Sequence, residues 1–305
     1  MDILSIDEKF LIIDGNSIAC RAAFAHNPKF GNDLSTSDGR LTGATFRFFT
    51  MLNTMLHKLK PTHVVVCWDI GRDTFRKKLD DNYKGNREKK NDELYEQFSD
   101  IKIILETIGI NNVSVVGFEA DDIIGTYSKL SKANKTYIVS GDKDTFQLVN
   151  KNTVVMFPRR GFNDVLEVTP EYIEEQYNIN YKRFVDLKAL TGDAGDNIKG
   201  IDGCAEKTAS KLLNFYESAL DVANNKNNIE CKGINKRVKE GILNWAPDVD
   251  IILKLVTIRT DVPVYFSYDE CKVDFDWDNA REIFDELEMN SFIKKLDGGE
   301  LYHGR

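Results

Sequence analysis

The chain has 305 residues, 42% of them apolar, enough for one large or two modest globular domains and unlike any collagenous or disordered composition. A formal net charge of −8 withholds the simplest argument for a nucleic-acid partner, and five scattered cysteines with no CxxC pair exclude a disulfide scaffold or a thiolate zinc site. No apolar run approaches the roughly 20 residues of a membrane span, and the acidic start MDILSIDEKF lacks a signal peptide's basic flank, so a soluble, cytoplasmic protein of a reducing compartment is expected.

In chain order, FLIID (10–14) is an apolar run of strand length and GNSIACRAAFAH (15–26) reads as a helix. The apolar-periodic stretch 43–58 precedes HVVVCWD (63–69), whose valine run is β-branched like a buried strand. Residues 72–90 then carry eight basic side chains against four acids, so an acidic total does not exclude a basic face. A helical pattern at 92–108 leads to the strand-like VSVV (113–116), a helix at 120–133, the strand TYIVS (136–140) and a short helix at 144–149. Strands separated by helices predict an α/β fold with a mainly parallel central sheet flanked by helices.

Acids fall at or just beyond the C-terminal end of all four predicted strands: Asp14; Asp69; Glu119, Asp121 and Asp122; Asp142 and Asp144. Any one of them could be a helix-capping acid. In a parallel sheet, however, the ligand site lies outside the carboxyl ends of the strands, so all seven converge on one edge. Two carboxylates about 4 Å apart repel by about 4 kcal/mol at an effective dielectric of 20. Such a cluster must take up protons or bind cations, and all-oxygen donors favour magnesium, with manganese as a substitute.

A second group lies in LTGDAGDNIKGIDGCAEKTASKLL (190–213), where Asp193 and Asp196 sit in a glycine-rich turn between two helical patterns. Gly200 and Gly203 allow close backbone approach, and Lys207 and Lys211 follow in the second helix. The turn fits either a phosphate-gripping hairpin or an ordinary helical hairpin with a solvated loop. Further on, 224–230 is polar and loop-like, and 278–295 reads as one amphipathic helix that packs back on the domain.

LIIDGNS, VVVCWD with its basic stretch, EADD, SGDKDTFQLV and GDAGDNIKGIDGCAEKTA together resemble, in order, the motifs of the 5′ nuclease or flap endonuclease family. That family includes the N-terminal domains of bacterial DNA polymerase I and stand-alone bacteriophage 5′→3′ exonucleases; with no polymerase segment in view, the chain looks most like the latter. The resemblance implies a PIN-like nuclease core over 1–168 with a helical arch at about 72–100. It implies a helical DNA-binding region over 169–305, with a helix–turn–helix at about 181–213. Asp14, Asp69, Glu119 and Asp121 would hold a first divalent ion and Asp142, Asp144, Asp193 and Asp196 a second, with Asp122 between them. Lys84 and Arg87 of YKGNR would contact the scissile phosphate.

Arg72, Arg76, Lys77 and Tyr83 of the arch, with Lys199, Gly200, Gly203, Lys207 and Lys211 of the hairpin, would meet DNA, and a potassium ion would sit at the hairpin carbonyls. The implied substrates are DNA with a 5′ flap, 5′ overhang or nick, and RNA–DNA hybrids, cut by a monomer without membrane contact during replication or repair. One departure is Ala205, where the family usually has a glycine; its methyl would hold the backbone away from a phosphate. A PIN-type ribonuclease shares the acid-lined edge but lacks the arch and glycine hairpin. A catalytically inactive protein that binds branched DNA is the non-enzymatic alternative.

Overall fold

The structure, a computed structural model, describes residues 7–24, 34–86, 92–159 and 164–304. Its centre is a six-stranded sheet: β1 (Lys9–Asp14), β2 (His63–Cys67), β3 (Asn112–Val113), β4 (Lys135–Val139), β5 (Thr153–Pro158) and β6 (Val165–Val168). The strands lie in the order β3-β2-β1-β4-β5-β6, with β1 to β5 parallel and β6 antiparallel at the edge. Both faces are covered, so the central strands carry unbroken apolar runs in place of alternation.

Leu11, Ile13, Val64 and Val66 point to one face, against α1 (Gly15–Phe24), α2 (Gly43–Leu59) and α4 (Asp92–Ile108). Phe10, Ile12, Val65 and Cys67 point to the other, against α5 (Ala120–Leu130) and the helical region that follows. That region runs through α6 (Pro170–Tyr177), α7 (Phe184–Thr191), a two-stranded hairpin of β7 (Gly192–Asp193) and β8 (Ile198–Lys199), α8 (Glu206–Leu213), α9 (Ala219–Asn224), α10 (Lys236–Trp245) and α11 (Val249–Val256). Among the described residues no helix is long and apolar enough to cross a membrane.

Several expected elements are shorter or broken. The third strand keeps two ladder residues, Asn112 and Val113, because the chain turns away before Val116, which is exposed. The helix expected at 144–149 is a 3₁₀ turn, Lys143–Leu148, capped by the Asp142 carboxylate accepting from the Asp144 N–H. The single amphipathic helix expected at 278–295 is instead a turn at Trp277–Ala280 followed by α12 (Arg281–Glu286) and α13 (Asn290–Asp297). Glu288, at φ 49°, breaks the helical path between them. The segment does return to the domain: Trp277, Phe284 and Phe292 pack with Phe49 of α2. A short helix, α3 (Phe75–Leu79), lies at the start of the expected arch, and 87–91 fall outside the described residues.

Candidate active site

Parallel pairing of β2, β1 and β4 brings the C-terminal ends of three strands to one edge, and the loop after β3 brings a fourth group of acids there. A cavity of about 220 Å³ opens at that edge, lined by Asp14, Asp69, Glu119, Asp121 and Asp142, with Lys84, Asn16 and Ser17. Asp14 is the most enclosed. Its Oδ1 accepts from the Ser17 N–H (2.9 Å) and its Oδ2 from the Ser140 hydroxyl (2.7 Å). Burial pushes its pKa up to about 7; those two hydrogen bonds oppose the rise, while the charges of Asp69 and Asp142 add to it. Asp121 is raised well above the carboxylate range by burial and then by Asp142, Asp14 and Asp144. Asp69 is anchored by the Ala120 N–H (2.7 Å), and its own N–H donates to Asn16 Oδ1 (2.8 Å).

Beside this cavity the second group of acids is knitted by lysine. The Lys188 ammonium lies 2.6 Å from Asp144 Oδ1 and 2.6 Å from Asp193 Oδ2. Burial, then Asp142, raise Asp144 to about 6 even with Lys188 opposing. Burial would also raise Asp193, but Lys188 and the Asp196 and Gly195 N–H groups outweigh it and hold this carboxyl below its usual range. Asp196 is buried and accepts from the Tyr83 hydroxyl (2.8 Å). Lys84 reaches both groups: its ammonium donates to Glu119 Oε1 (2.7 Å) and lies 3.7 Å from Asp196 Oδ2. Its backbone N–H donates to the Asp196 carbonyl and its φ is 53°, a conformation costly for a non-glycine residue that the surrounding contacts impose. Arg87 lies outside the described residues.

Four expected site residues are engaged within the protein. Asp122 is fully buried and faces away from the cavity: Oδ1 accepts from Arg76 Nη2 and the Arg259 N–H, Oδ2 from Arg76 Nη1 and the Glu119 N–H. Four donors fill its lone pairs, which leaves none for a metal ion. Arg76, expected to meet DNA, is the buried partner of Asp122 and also donates to the Leu255 and Thr257 carbonyls. Tyr83 is 4% exposed, and its single hydroxyl proton is shared between Glu119 (2.9 Å) and Asp196 (2.8 Å). Gly200 is glycine for an internal reason, since a Cβ there would lie 2.2 Å from the Thr191 carbonyl carbon. Arg72 and Lys77 line a neighbouring cavity of about 420 Å³ with Tyr95 and Phe118, and Lys199, Lys207 and Lys211 are exposed.

Sequence reasoning missed Ser17 and Ser140, which hold Asp14, and Lys188. The signal for Lys188 was a lone lysine inside the apolar helix FVDLKALT, five residues before Asp193. Among the described residues no three acids already enclose one point as a preformed ion cage. The donor set nonetheless fits divalent hard cations: it is all oxygen, five of its members line one cavity, and burial with mutual repulsion raises the pKa of Asp14, Asp121 and Asp144.

The site is thus an acid-lined edge of a parallel sheet joined to a helical hairpin region. The chain belongs to the 5′-3′ exonuclease family: residues 9–178 match its N-terminal resolvase-like domain and 179–278 its C-terminal SAM fold. It is 35% identical over 306 residues to DNA polymerase I of Lactococcus lactis subsp. lactis (strain IL1403), covering 96% of this chain and 34% of that protein. It is likewise 35% identical over 292 residues to DNA polymerase I of Bacillus subtilis (strain 168), covering 95% of this chain and 32% of that one. The chain thus spans about a third of the length of these relatives. In fold it is similar to a zinc-bound bacteriophage T5 5′-exonuclease (TM-score 0.67, 20% identity, 83% of this chain and 90% of that one). It is also similar to the catalytic core of Rad2 in complex with DNA substrate (TM-score 0.58, 16% identity, 93% and 88%).

Proposed function

We propose that this chain is a structure-specific 5′ nuclease that hydrolyses phosphodiester bonds in DNA at 5′ flaps, overhangs and nicks, with two divalent ions held by the acidic edge. The observation that carries it is the meeting of Asp14, Asp69, Glu119, Asp121 and Asp142 around one cavity that Lys84 enters. The fold relatives lend support, since the bacteriophage T5 flap endonuclease is known in complex with DNA and metal ions.

Asp14, Asp69, Glu119 and Asp121 would hold one ion; Asp142, Asp144, Asp193 and Asp196 the other. Magnesium suits the site because the donors are all hard carboxylate oxygens. Ions held there would supply positive charge at the phosphate and would acidify a nearby water. Ser17 and Ser140 fix the Asp14 carboxylate and the Ala120 N–H fixes that of Asp69, so these two donors are held in place. Lys84 carries a charge to the cavity mouth, where it neutralises the phosphate oxygens, and Arg87 is proposed as its partner. Arg72 and Lys77 would guide the 5′ single strand along the neighbouring cavity. Lys199, Lys207 and Lys211 would meet the duplex backbone, and potassium would sit at the hairpin carbonyls. A nuclease core over 1–168 and a DNA-gripping region over 169–305, working as a cytoplasmic monomer, complete the proposal.

A labelled 5′-flap duplex tests it, incubated with magnesium, with EDTA, and with an Asp121→Asn variant. Cleavage near the junction is expected from the wild type with magnesium alone. Equal cleavage in EDTA would overturn the metal role, and no cleavage of any 5′ end would overturn the nuclease.

A further inference from the structure

The helical region contains the same turn twice. Ile201–Ala205 before α8 and Cys231–Asn235 before α10 share one burial pattern (buried, exposed, exposed, buried, exposed) and one backbone path, with Gly203 at φ +73° and Gly233 at φ +75°. The two units pack reciprocally. Arg237 of the second unit donates both to Asp202 Oδ2 (3.0 Å) and to Asp202 Oδ1 (2.7 Å) at the tip of the first. A Cβ at Gly203 would meet the Arg237 side chain at 3.2 Å, and one at Gly233 would meet the Lys211 ammonium at 2.4 Å. Each tip therefore lies under a cation from the other unit, as a local pseudo-two-fold requires.

The two units differ in charge. Residues 201–211 hold Asp202 and Glu206 against Lys207 and Lys211 and are neutral; residues 231–241 hold Lys232, Lys236, Arg237 and Lys239 against Glu240 alone, a net +3 in a chain of net −8. Arg237 is committed to Asp202, and Lys239 donates to the Ile229 carbonyl. Lys232 and Lys236 are exposed; the Lys236 ammonium is 3.6 Å from Glu240, a solvated pair worth little.

We infer that the 231–241 unit is a second DNA-backbone contact, and that its occupant is the other strand of the duplex held by the first unit. Two antiparallel strands are themselves related by a dyad, so a pseudo-symmetric pair of tips meets one strand with each half. The more basic half lacks the acids at its tip that would repel a phosphate, and its charge complements a polyanion. This rests on the DNA-cleaving reading above.

The test is binding of the full chain to a fluorescent duplex carrying a 5′ flap, in EDTA, from about 50 to about 300 mM salt. Lys232→Gln/Lys236→Gln is compared with Lys199→Gln/Lys207→Gln, with hydroxyl-radical footprints on both strands. The first pair should lower the log–log salt slope by about 2 and lose protection on one strand; the second pair should lose it on the other. Wild-type slope and footprint in a folded Lys232→Gln/Lys236→Gln variant would overturn the inference while leaving the nuclease intact. A wild type that cleaves no 5′ substrate and binds no duplex would overturn both.

Discussion

At the scale of single residues, two cations define the chemistry and the stability of the site separately. Lys84 points into the acid-lined cavity while Arg76 is buried behind it. If Lys84 neutralises charge that builds on the phosphate, Lys84→Ala should lower the single-turnover rate on the order of 10²–10³-fold, the typical cost of losing one preorganised donor. DNA affinity should change far less, and an unchanged rate at saturating protein would remove Lys84 from the mechanism. Arg76 and Asp122 predict the opposite signature. Breaking this pair, whose side chains are 4% and 0% exposed, leaves a buried charge uncompensated, so Asp122→Ala should cost about 3–5 kcal/mol in denaturant unfolding. Full stability with lost metal binding would return Asp122 to the ligand set. The sequence could not separate it from Asp121. Neighbours in a helix point about 100° apart, and which one faces the cavity depends on the Arg76 and Arg259 contacts from distant segments.

Among elements, the strand ends were legible and the supports were not. Apolar runs such as FLIID and HVVVC announce buried strands, and the acid after each is a local feature. Ser140 and Lys188 gain their roles only through strand order and the docking of α7, which no local pattern carries. The same limit hid a second role of Gly200, whose lack of a side chain serves the β7–β8 hairpin. Gly200→Ala should therefore destabilise the protein by about 1–3 kcal/mol through overpacking against Thr191, and should slow cleavage by displacing Asp193 and Asp196. A neutral effect on unfolding with weakened duplex binding would leave DNA contact as the role of Gly200. The strand end of β1 makes a pH prediction. Folding raises the Asp14 pKa from 3.8 to about 7, so the folded state binds the proton more tightly than the unfolded chain. The stability that this gives is complete below the unfolded value and is lost as pH rises through about 7. In EDTA, wild type should lose stability relative to Asp14→Asn between about pH 4 and pH 7, and magnesium should remove the difference. A flat difference in EDTA would mean that the acids are already compensated within the protein.

For the whole molecule, the acidic edge depends on a segment that contributes no acid to it. After α11 the chain crosses back: the Val273 N–H donates to the Thr62 carbonyl, and the Asp276 N–H to the Ile108 carbonyl. Trp277 then fills the gap between α2 and α13, its ring 6.2 Å from Phe49 and 5.6 Å from Phe292, with its indole N–H donating to the Tyr302 carbonyl (2.8 Å). This packing continues the core that α1, α2 and α4 form over Leu11, Ile13, Val64 and Val66, on the strands whose ends present Asp14 and Asp69. Trp277→Ala should cost about 3–5 kcal/mol, a large share of the roughly 5–15 kcal/mol that holds a domain folded. If the return segment is part of the core, loss of cleavage on warming should track loss of tertiary structure by near-ultraviolet circular dichroism, and activity per folded molecule should stay at the wild-type level. Loss of activity with an unchanged unfolding midpoint would instead mean that this segment acts on the site directly.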